Sequence, residues 1–207
     1  MKDSAKLWQK EDWVLLGPLG PALPASLSSY PLITVDGGAN FASRSTIWIG
    51  DGDSLSQTPV ADELRNLPRD KDHSDLAAAL GLFPLGKHCL HLWGFLGGRR
   101  DHELFVLGEC LSFLKHRPET KIILYQSQGQ KTFELLGPGT WPFTHQGLFS
   151  LGTLQETAVH LEGQIQYPLN GKTRLRPLSS HGLSNQASGS FTLTSDAPLF
   201  IYWGESL

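Results

Sequence analysis

The 207-residue sequence lacks three features, and each absence excludes a class of protein. Basic residues are not in excess, because the formal net charge is -3, so the basic face of a general nucleic-acid binder is not expected. No apolar run approaches the ~20 residues that a transmembrane helix requires. Cysteine is scarce, since Cys89 and Cys110 are the only two, and both lie in apolar runs. We expect buried free thiols in a reducing compartment rather than a disulfide framework.

A secretory signal sequence is not expected either. The apolar residues 13–23 follow Asp3, Glu11 and Asp12, and glycine and proline interrupt them, unlike the continuous apolar segment of a signal sequence. We therefore expect a soluble cytoplasmic protein with neither a membrane nor nucleic acid as its partner. A hydrophobic content of 40% is enough for a sizeable core, and the length allows one large domain or two small ones.

Short apolar runs in the first 125 residues are typical of strands in a parallel sheet. Such strands are covered on both faces, so their sequences are continuously apolar instead of alternating. The runs are residues 13–16, 32–35, 46–49, 88–93 and 121–125.

Two helices are predicted from apolar residues at intervals of three and four. The first begins near Ser74 or Asp72 and ends at Pro84. The second begins near Asp101, which could cap it, and ends at Pro118. The apolar residues that define these helices are Leu76, Leu80, Phe83, Leu104, Leu107, Leu111 and Leu114.

From about Thr132 the sequence changes to short β-rich runs separated by glycine, proline, asparagine and serine. Runs of that length and spacing, without a helical period, indicate a small antiparallel sandwich or barrel. We therefore predict an α/β protein of two domains. A Rossmann-like parallel-sheet domain covers residues 1–130, and a small C-terminal antiparallel β-sandwich covers residues 131–207.

Carboxylates follow two of the predicted parallel strands. Asp36 begins the turn DGGAN, and Asp51 and Asp53 belong to GDGDS. Ligands of open parallel sheets bind beyond the carboxyl ends of the strands, so these aspartates could line one cleft. Asp51 and Asp53 alternate around Gly52, and in an extended backbone both could face one divalent cation. The alternative is that they only cap turns.

Two more polar segments, PRDKDHSD and GGRRDH, precede the predicted helices. A helix start attracts phosphate, and Lys71 could add a positive charge to the same site. Arg99 has the planar donors that suit phosphate oxygens. Simpler alternatives are that Asp75 only complements the helix dipole, that Asp101 is only an N-cap, and that Arg99 is solvated.

A zinc site built from His88 and His91 is not expected. Residues three apart on a strand point to opposite faces of the sheet, and no cluster of cysteine or histidine accompanies this pair.

Five segments together resemble the thiamine pyrophosphokinase family: DGGAN, GDGDS, KDHSD, GGRRDH, and GLSN with the following SGSFTL. Their order and approximate spacing are similar to that family from about residue 13 to the C-terminus. The resemblance implies an enzyme that transfers the pyrophosphoryl group of ATP to the hydroxyl of thiamine, giving thiamine diphosphate and AMP. It also implies Mg²⁺ as cofactor, ATP as co-substrate, and a homodimer whose active site is completed across the subunit interface.

The resemblance also implies roles for individual residues in the first half. Its metal-binding carboxylates correspond to Asp51, Asp53 and Asp75. Further acidic residues of the same cleft are Asp36 and Asp101. We count Asp101 with the three metal-binding carboxylates as catalytic, and we expect Asp75 or Asp101 to accept the hydroxyl proton. The positions that face the nucleotide phosphates are Asn40, Lys71 and Arg99.

In the second half the resemblance implies a thiamine-binding set of Tyr167, Ser184 and Asn185. An aromatic ring stacked on the cationic thiazolium is physically reasonable. The alternative for Tyr167 is a strand residue packed on the surface of the sandwich.

The chain departs from that family at several points. Gly52 stands where a bulky residue is usual, only nine residues separate GGAN from GDGDS, Arg100 replaces an apolar residue, and Val106 replaces a polar one. These departures leave the carboxylates in place but bear on the acceptor. Two alternatives stay open: a related pyrophosphokinase acting on another heterocyclic alcohol, and a non-catalytic sensor that binds nucleotide or thiamine.

Overall fold

The first six strands pair in parallel within residues 8–126 and 129–204, the part of the chain that the computed structural model describes. They are β1 (Asp12–Leu16), β2 (Leu32–Val35), β3 (Ser45–Gly50), β4 (Ala61–Asn66), β5 (His88–Trp93) and β6 (Thr120–Tyr125). Their order across the sheet is β4-β3-β2-β1-β5-β6. All five predicted parallel strands are confirmed, each within one residue of its expected ends.

The strand β4 is absent from the sequence prediction because its sequence, ADELRN, is polar. It lies at the edge of the sheet, pairs with β3, and exposes most of its side chains. Charged side chains are common on edge strands, where they discourage pairing with another chain. A hydrophobic pattern therefore gave no signal for this strand.

Two helices, α1 (Asp75–Leu80) and α2 (Arg100–Leu114), follow β4 and β5. Ser74 caps α1, since its hydroxyl accepts a hydrogen bond from the N–H of Ala77 at 3.0 Å. The N-cap residue of α2 is Arg99, so Asp101 lies in the first turn and the N-cap role considered for it is wrong.

The helix α1 is shorter than its apolar pattern predicted. It ends at Leu80, and Phe83 lies beyond it. Phe83 is nevertheless buried and packs edge-on against Trp13, with 5.5 Å between the ring centroids.

The strands β1 and β5 flank the point where the strand order reverses, because β1 to β4 extend to one side of the sheet and β5 and β6 to the other. The backbone is tightly packed at this switch point. A Cβ atom on Gly17 would lie 2.6 Å from the carbonyl oxygen of Gly94, and one on Gly38 would collide with the carbonyl of Leu16. Gly38 belongs to the 3-10 helix Asp36–Phe41, which therefore lies directly over the carboxyl end of β1.

The remaining six strands pair antiparallel and continue the same sheet. They are β7 (Lys131–Leu136), β8 (Gly139–Gly152), β9 (Thr157–Ile165), β10 (Leu169–Leu175), β11 (Asn185–Ser195) and β12 (Leu199–Trp203). Their order, starting beside β6, is β7-β12-β8-β11-β9-β10. The α/β class and the antiparallel second half are confirmed. Hydrogen bonds join both halves into one sheet of twelve strands. The separate β-sandwich and the domain boundary between residues 130 and 131 therefore stay predictions.

The buried apolar side chains form three groups, and the smallest contains Val14, Leu16, Leu27 and Trp93 of the parallel half. One group lies between the parallel strands and the two helices, and it includes Trp13, Leu15 and Cys110. Another lies among β7 to β12 and includes Phe149 and Leu193. Both cysteines are free, as predicted, although Cys89 is only partly buried. In the described parts of the chain, no helix is long and apolar enough to cross a membrane.

Because the 3-10 helix lies so close to β1, we expect a side chain at Gly38 to destabilise the fold. A side chain at Gly108, which serves as the control, should not. Gly38→Ala should lower the free energy of unfolding by about 1–3 kcal/mol, because the added methyl group forces the two segments apart. Gly108→Ala, within α2 and with free space around it, should raise the free energy by about 0.5–1 kcal/mol through helix propensity. Urea denaturation measures both, and a Gly38→Ala variant as stable as the parent would contradict the packing.

Candidate active site

Three aspartates meet at the carboxyl ends of β2 and β3. Asp36 directly follows β2, Asp51 directly follows β3, and Asp75 begins α1. Val35 and Ile49 are register partners, so the two strands end side by side. One carboxylate oxygen from each aspartate lies within 4.8 Å of the others. Two of the aspartates that the sequence analysis placed at these strand ends, Asp36 and Asp51, therefore lie close together.

Asp36 occupies a strained position in this cluster. Its φ of 46° is in the left-handed region, which is uncommon for a residue other than glycine and is found more often at functional sites. Trp48 donates a hydrogen bond from its indole N–H to the carbonyl oxygen of Asp36 at 3.2 Å. The Oδ1 atom of Asp36 is buried, and no donor among the described residues reaches it. A buried carboxylate oxygen without a donor is costly unless a ligand compensates it.

Lys71 places its ammonium group between the other two aspartates. Its Nζ lies 2.8 Å from Oδ2 of Asp51 and 3.1 Å from Oδ1 of Asp75. The hydrogen bond from Lys71, and a second from the backbone N–H of Asp53, hold the pKa of Asp51 below its usual range. The hydrogen bond to Asp51 likewise raises the pKa of Lys71. Burial raises the pKa of Asp75 even though Lys71 opposes the shift.

This donor set fits a hard divalent cation. Mg²⁺ prefers oxygen ligands and binds in proteins through a few carboxylates. Asp36, Asp51 and Asp75 supply such oxygens, and the buried Oδ1 of Asp36 has the free lone pairs that a cation would use. One ammonium group against three carboxylates also leaves an excess of negative charge.

Asp53 lies outside this cluster. Gly52 has a φ of 79°, so the backbone is not extended there, which was the condition for Asp51 and Asp53 to face one cation. Asp53 is exposed, its N–H donates to Oδ1 of Asp51 at 3.1 Å, and its Oδ1 accepts from the hydroxyl of Ser54 at 2.9 Å. The structure thus brings Asp36 to the position beside Asp51 and Asp75 where Asp53 was expected.

Asn40 holds the loop that carries these aspartates. Its Nδ2 donates to the carbonyl of Ser54 at 2.9 Å, and its Oδ1 accepts from the N–H and the hydroxyl of Ser56 at 2.9 and 2.7 Å. The side chain predicted to face phosphate therefore acts here as a brace between the 3-10 helix and the loop after β3.

A cleft of about 450 Å³ adjoins Asp36 and Asp75. The helix α2 forms one wall, and its lining residues are His102, Phe105, Val106 and Glu109. The sequence analysis did not predict that these residues line a cleft. The signal was present, because residues three, four and seven positions after His102 share its face of a helix. Glu109 also accepts a hydrogen bond from the hydroxyl of Ser74 at 2.6 Å, which connects the two helices.

Arg99 and Asp101 pair with each other at the exposed start of α2. The guanidinium donates to both carboxylate oxygens, from Nε at 3.1 Å and from an Nη atom at 2.5 Å. This pairing holds the pKa of Asp101 below its usual range. Neither residue lines the cleft beside Asp36 and Asp75.

The residues predicted to bind thiamine lie together in the second half. Tyr167 is not on a strand but in the turn between β9 and β10, and it is 56% exposed. Asn185 is buried and brackets the backbone of Tyr167, accepting from its N–H at 3.0 Å and donating to its carbonyl at 2.7 Å. Tyr167 and Asn185 line a cavity of about 280 Å³. Ser184, with a φ of 57°, precedes Asn185.

These two sets of residues are far apart within one chain. The aspartates follow β2 and β3, whereas Tyr167 and Asn185 lie at β9, β10 and β11. Six strands separate β2 from β11 in the sheet, a path of about 34 Å at ~4.8 Å per strand.

The brace formed by Asn40 predicts a graded loss of stability. Asn40→Ala removes all of its hydrogen bonds to Ser54 and Ser56 and should lower the free energy of unfolding by about 1–2 kcal/mol. Ser56→Ala removes only the hydroxyl contact and should cost about 0.5 kcal/mol. Thermal and urea denaturation distinguish the two variants. Equal losses in both would show that Asn40 does not brace the loop.

No protein-family model and no curated protein matches the chain. Solved structures do match it. Thiamine pyrophosphokinase from Bacillus subtilis has a TM-score of 0.68 at 19% identity, covering 96% of this chain and 100% of that chain. A thiamin pyrophosphokinase family protein from Enterococcus faecalis gives 0.69 at 19% identity, with coverage of 95% and 100%. Thiamin pyrophosphokinase from Candida albicans gives 0.69 at 11% identity, with coverage of 95% and 89%. The chain therefore has the fold of the thiamine pyrophosphokinases.

Proposed function

We propose that this protein is a thiamine pyrophosphokinase, which transfers the pyrophosphoryl group of ATP to the hydroxyl of thiamine and releases AMP. The observation that carries this proposal is the meeting of Asp36, Asp51 and Asp75 at the strand ends, with a buried oxygen on Asp36 that no donor among the described residues reaches. The fold shared with known thiamine pyrophosphokinases supports it. The free cysteines suit the cytoplasmic location that we propose with it.

The reaction joins the alcohol oxygen to the β-phosphorus of ATP and breaks the bond from that phosphorus to the oxygen that leaves with AMP. Alignment and neutralisation of phosphate charge supply most of the catalysis in such transfers. Asp36, Asp51 and Asp75 would hold Mg²⁺, with the exposed Asp53 as a proposed further ligand, and the ion would supply positive charge that offsets the charge of the phosphates. Lys71, which pairs with Asp51 and Asp75, would turn from Asp51 towards a phosphate, while Asn40 fixes the loop.

Asp75 is a better candidate than Asp101 for the base that accepts the hydroxyl proton. Asp75 belongs to the aspartate cluster and lines the cleft beside it, whereas Asp101 does neither. Asp101 has a lowered pKa and is engaged with Arg99. We propose that Arg99 and Asp101 act at the edge of the site, where Arg99 would bind the nucleotide phosphates.

One observation favours the alternative of a different heterocyclic alcohol as acceptor. Val106, which stands where the family often has a polar residue, lines the cleft beside Asp36 and Asp75. An apolar side chain in this wall would favour an acceptor that has fewer hydrogen-bonding groups than thiamine on the side facing Val106. Gly52 is weaker evidence for a different acceptor, because its positive φ by itself explains a glycine there. Leu55 and Trp48 also lie within 4 Å of where its Cβ atom would be.

We also propose a homodimer with a shared active site. The aspartates and the cavity of Tyr167 and Asn185 lie at separated parts of the sheet. One thiamine molecule would therefore contact the aspartates of one subunit and the cavity of the other. In a two-fold dimer each subunit gives the same two surfaces, and two equivalent sites are completed. The exposed ring of Tyr167 would stack on the thiazolium, and Ser184 and Asn185 would position it.

The enzyme assay is the formation of AMP from Mg-ATP in the presence of thiamine. Asp36→Asn, Asp51→Asn, Asp53→Asn and Asp75→Asn should each reduce turnover by on the order of 10²–10³-fold, because each weakens charge compensation at the phosphates. Asp70→Asn, an exposed carboxylate of the neighbouring loop, is the matched control and should change little. Asp101→Asn should retain turnover within about tenfold if Asp75 is the base.

Each outcome of this assay has a defined meaning. AMP that requires thiamine supports the proposal, and AMP that appears only with another alcohol supports the alternative acceptor. Binding of nucleotide or thiamine without AMP indicates a sensor. Normal turnover of a folded Asp51→Asn variant would remove the metal assignment.

Mixed dimers test the shared site. Asp51→Asn and the double variant Tyr167→Ala/Ser184→Ala should each be nearly inactive at limiting thiamine. Subunits exchanged between them at equal amounts should recover about a quarter of the parent activity, since half of the dimers are mixed and each has one intact site. If the mixture is only as active as the mean of the two variants, the site is complete within one subunit.

A further inference from the structure

A second cluster of potential metal ligands lies on the other face of the sheet from α1 and α2. It consists of Asp12, Cys89 and His91, whose ligand atoms all lie within 4.8 Å of one another. Asp12 and Cys89 are register partners on β1 and β5, and His91 follows Cys89 by two residues. Residues two apart on a strand share a face, so the sheet itself directs these side chains to one place.

The distances between the ligand atoms suit a tetrahedral ion. Sγ of Cys89 lies 3.5 Å from Nε2 of His91, which lies 3.5 Å from Oδ1 of Asp12. With zinc bond lengths of about 2.3 Å to sulfur and about 2.0–2.1 Å to nitrogen or oxygen, tetrahedral geometry separates sulfur from nitrogen by about 3.5 Å and nitrogen from oxygen by about 3.3 Å. These two distances suit a Zn²⁺ or Co²⁺ ion, and the third pair of atoms, from Cys89 and Asp12, also lies within 4.8 Å.

The surroundings of His91 orient its ring for such a role. Its Nδ1 lies 2.8 Å from the hydroxyl oxygen of Tyr125, so an Nδ1–H can donate to Tyr125 and leave the Nε2 lone pair towards Cys89 and Asp12. Metal-binding histidines are commonly fixed by a hydrogen bond of this kind on the other ring nitrogen. The ring of Tyr30 stacks on His91, with 5.3 Å between centroids and 11° between planes.

The nearby charges do not exclude a cation. Lys121, the register partner of Cys89 on β6, is paired with the buried carboxylate of Glu134 at 3.2 Å. Burial raises the pKa of the Cys89 thiol to about 12, so metal binding must also displace the thiol proton, as it does for other cysteine ligands.

We propose that Asp12, Cys89 and His91 bind a transition-metal ion of the zinc class, separate from the carboxylate site. The three protein ligands leave a fourth position for water or an external ligand. The bound ion would link β1 to β5, the strands that flank the switch point, close to their amino-terminal ends. The proposal does not depend on the enzymatic function.

Cobalt titration of the metal-free full-length chain tests this site, with excess Mg²⁺ present to occupy the carboxylate site. We expect one equivalent of Co²⁺ to give a thiolate-to-cobalt charge-transfer band that Zn²⁺ removes. Cys89→Ser should abolish the band, and Asp12→Asn should weaken binding. Tyr125→Phe should weaken it by about 10–100-fold through loss of the ring's orienting partner. The matched control is Cys110→Ala, whose buried cysteine lies in the core and is not part of the cluster.

Thermal denaturation gives a second readout. Zn²⁺ at about 100 times its dissociation constant should raise the Tm of the parent by about 5–10 °C and leave Cys89→Ser unchanged. The proposal is overturned if no charge-transfer band forms, if the band persists in Cys89→Ser, or if it is lost in a folded Cys110→Ala variant.

Discussion

The ammonium group of Lys71, held between Asp51 and Asp75, is the interaction on which the candidate active site depends. Like charges about 4 Å apart repel by about 1–4 kcal/mol at effective dielectric constants of 80 to 20, so three aspartates cannot remain ionised together without compensation. Lys71 contacts two of them, while the buried Oδ1 of Asp36 is left without a donor among the described residues. The cluster is thus held together by Lys71, and its excess of negative charge suits the cation that we propose for it.

Backbone packing sets where these charges can meet. The 3-10 helix after β2 lies against the end of β1 because Gly38 has no side chain, and Asp36 takes a left-handed φ at the start of that helix. Asn40 then connects the same 3-10 helix to the loop after β3. Two short connections, both without an α-helix, therefore bring carboxylates from adjacent strands to one place. The strain at Asp36 is compensated by contacts elsewhere in the site, such as the hydrogen bond from Trp48.

The continuous sheet places the two candidate sets of site residues in different halves of the protein. The parallel half presents the carboxylates at its strand ends, and the antiparallel half presents the cavity of Tyr167 and Asn185 several strands away. The rigid sheet keeps these surfaces apart within one chain, which is why a second copy enters the proposed function. The same sheet also forms the cluster of Asp12, Cys89 and His91. The register of β1 with β5 places Asp12 beside Cys89.

The sequence by itself determined the five apolar parallel strands, the two helices, the antiparallel second half and the acidic strand ends. These features depend on local patterns: continuous apolar runs, helical spacing, and polar residues where strands stop. Only the tertiary structure decided which carboxylates meet. The φ of Gly52 breaks the extended backbone between Asp51 and Asp53, and the register of β2 with β3 brings in Asp36. Contacts between distant segments also decide three further features. They are the polar edge strand β4, the wall formed by α2, and the approach of Asp12 to Cys89. A sequence pattern cannot express these contacts, because register and backbone conformation are set by the packing of the whole sheet.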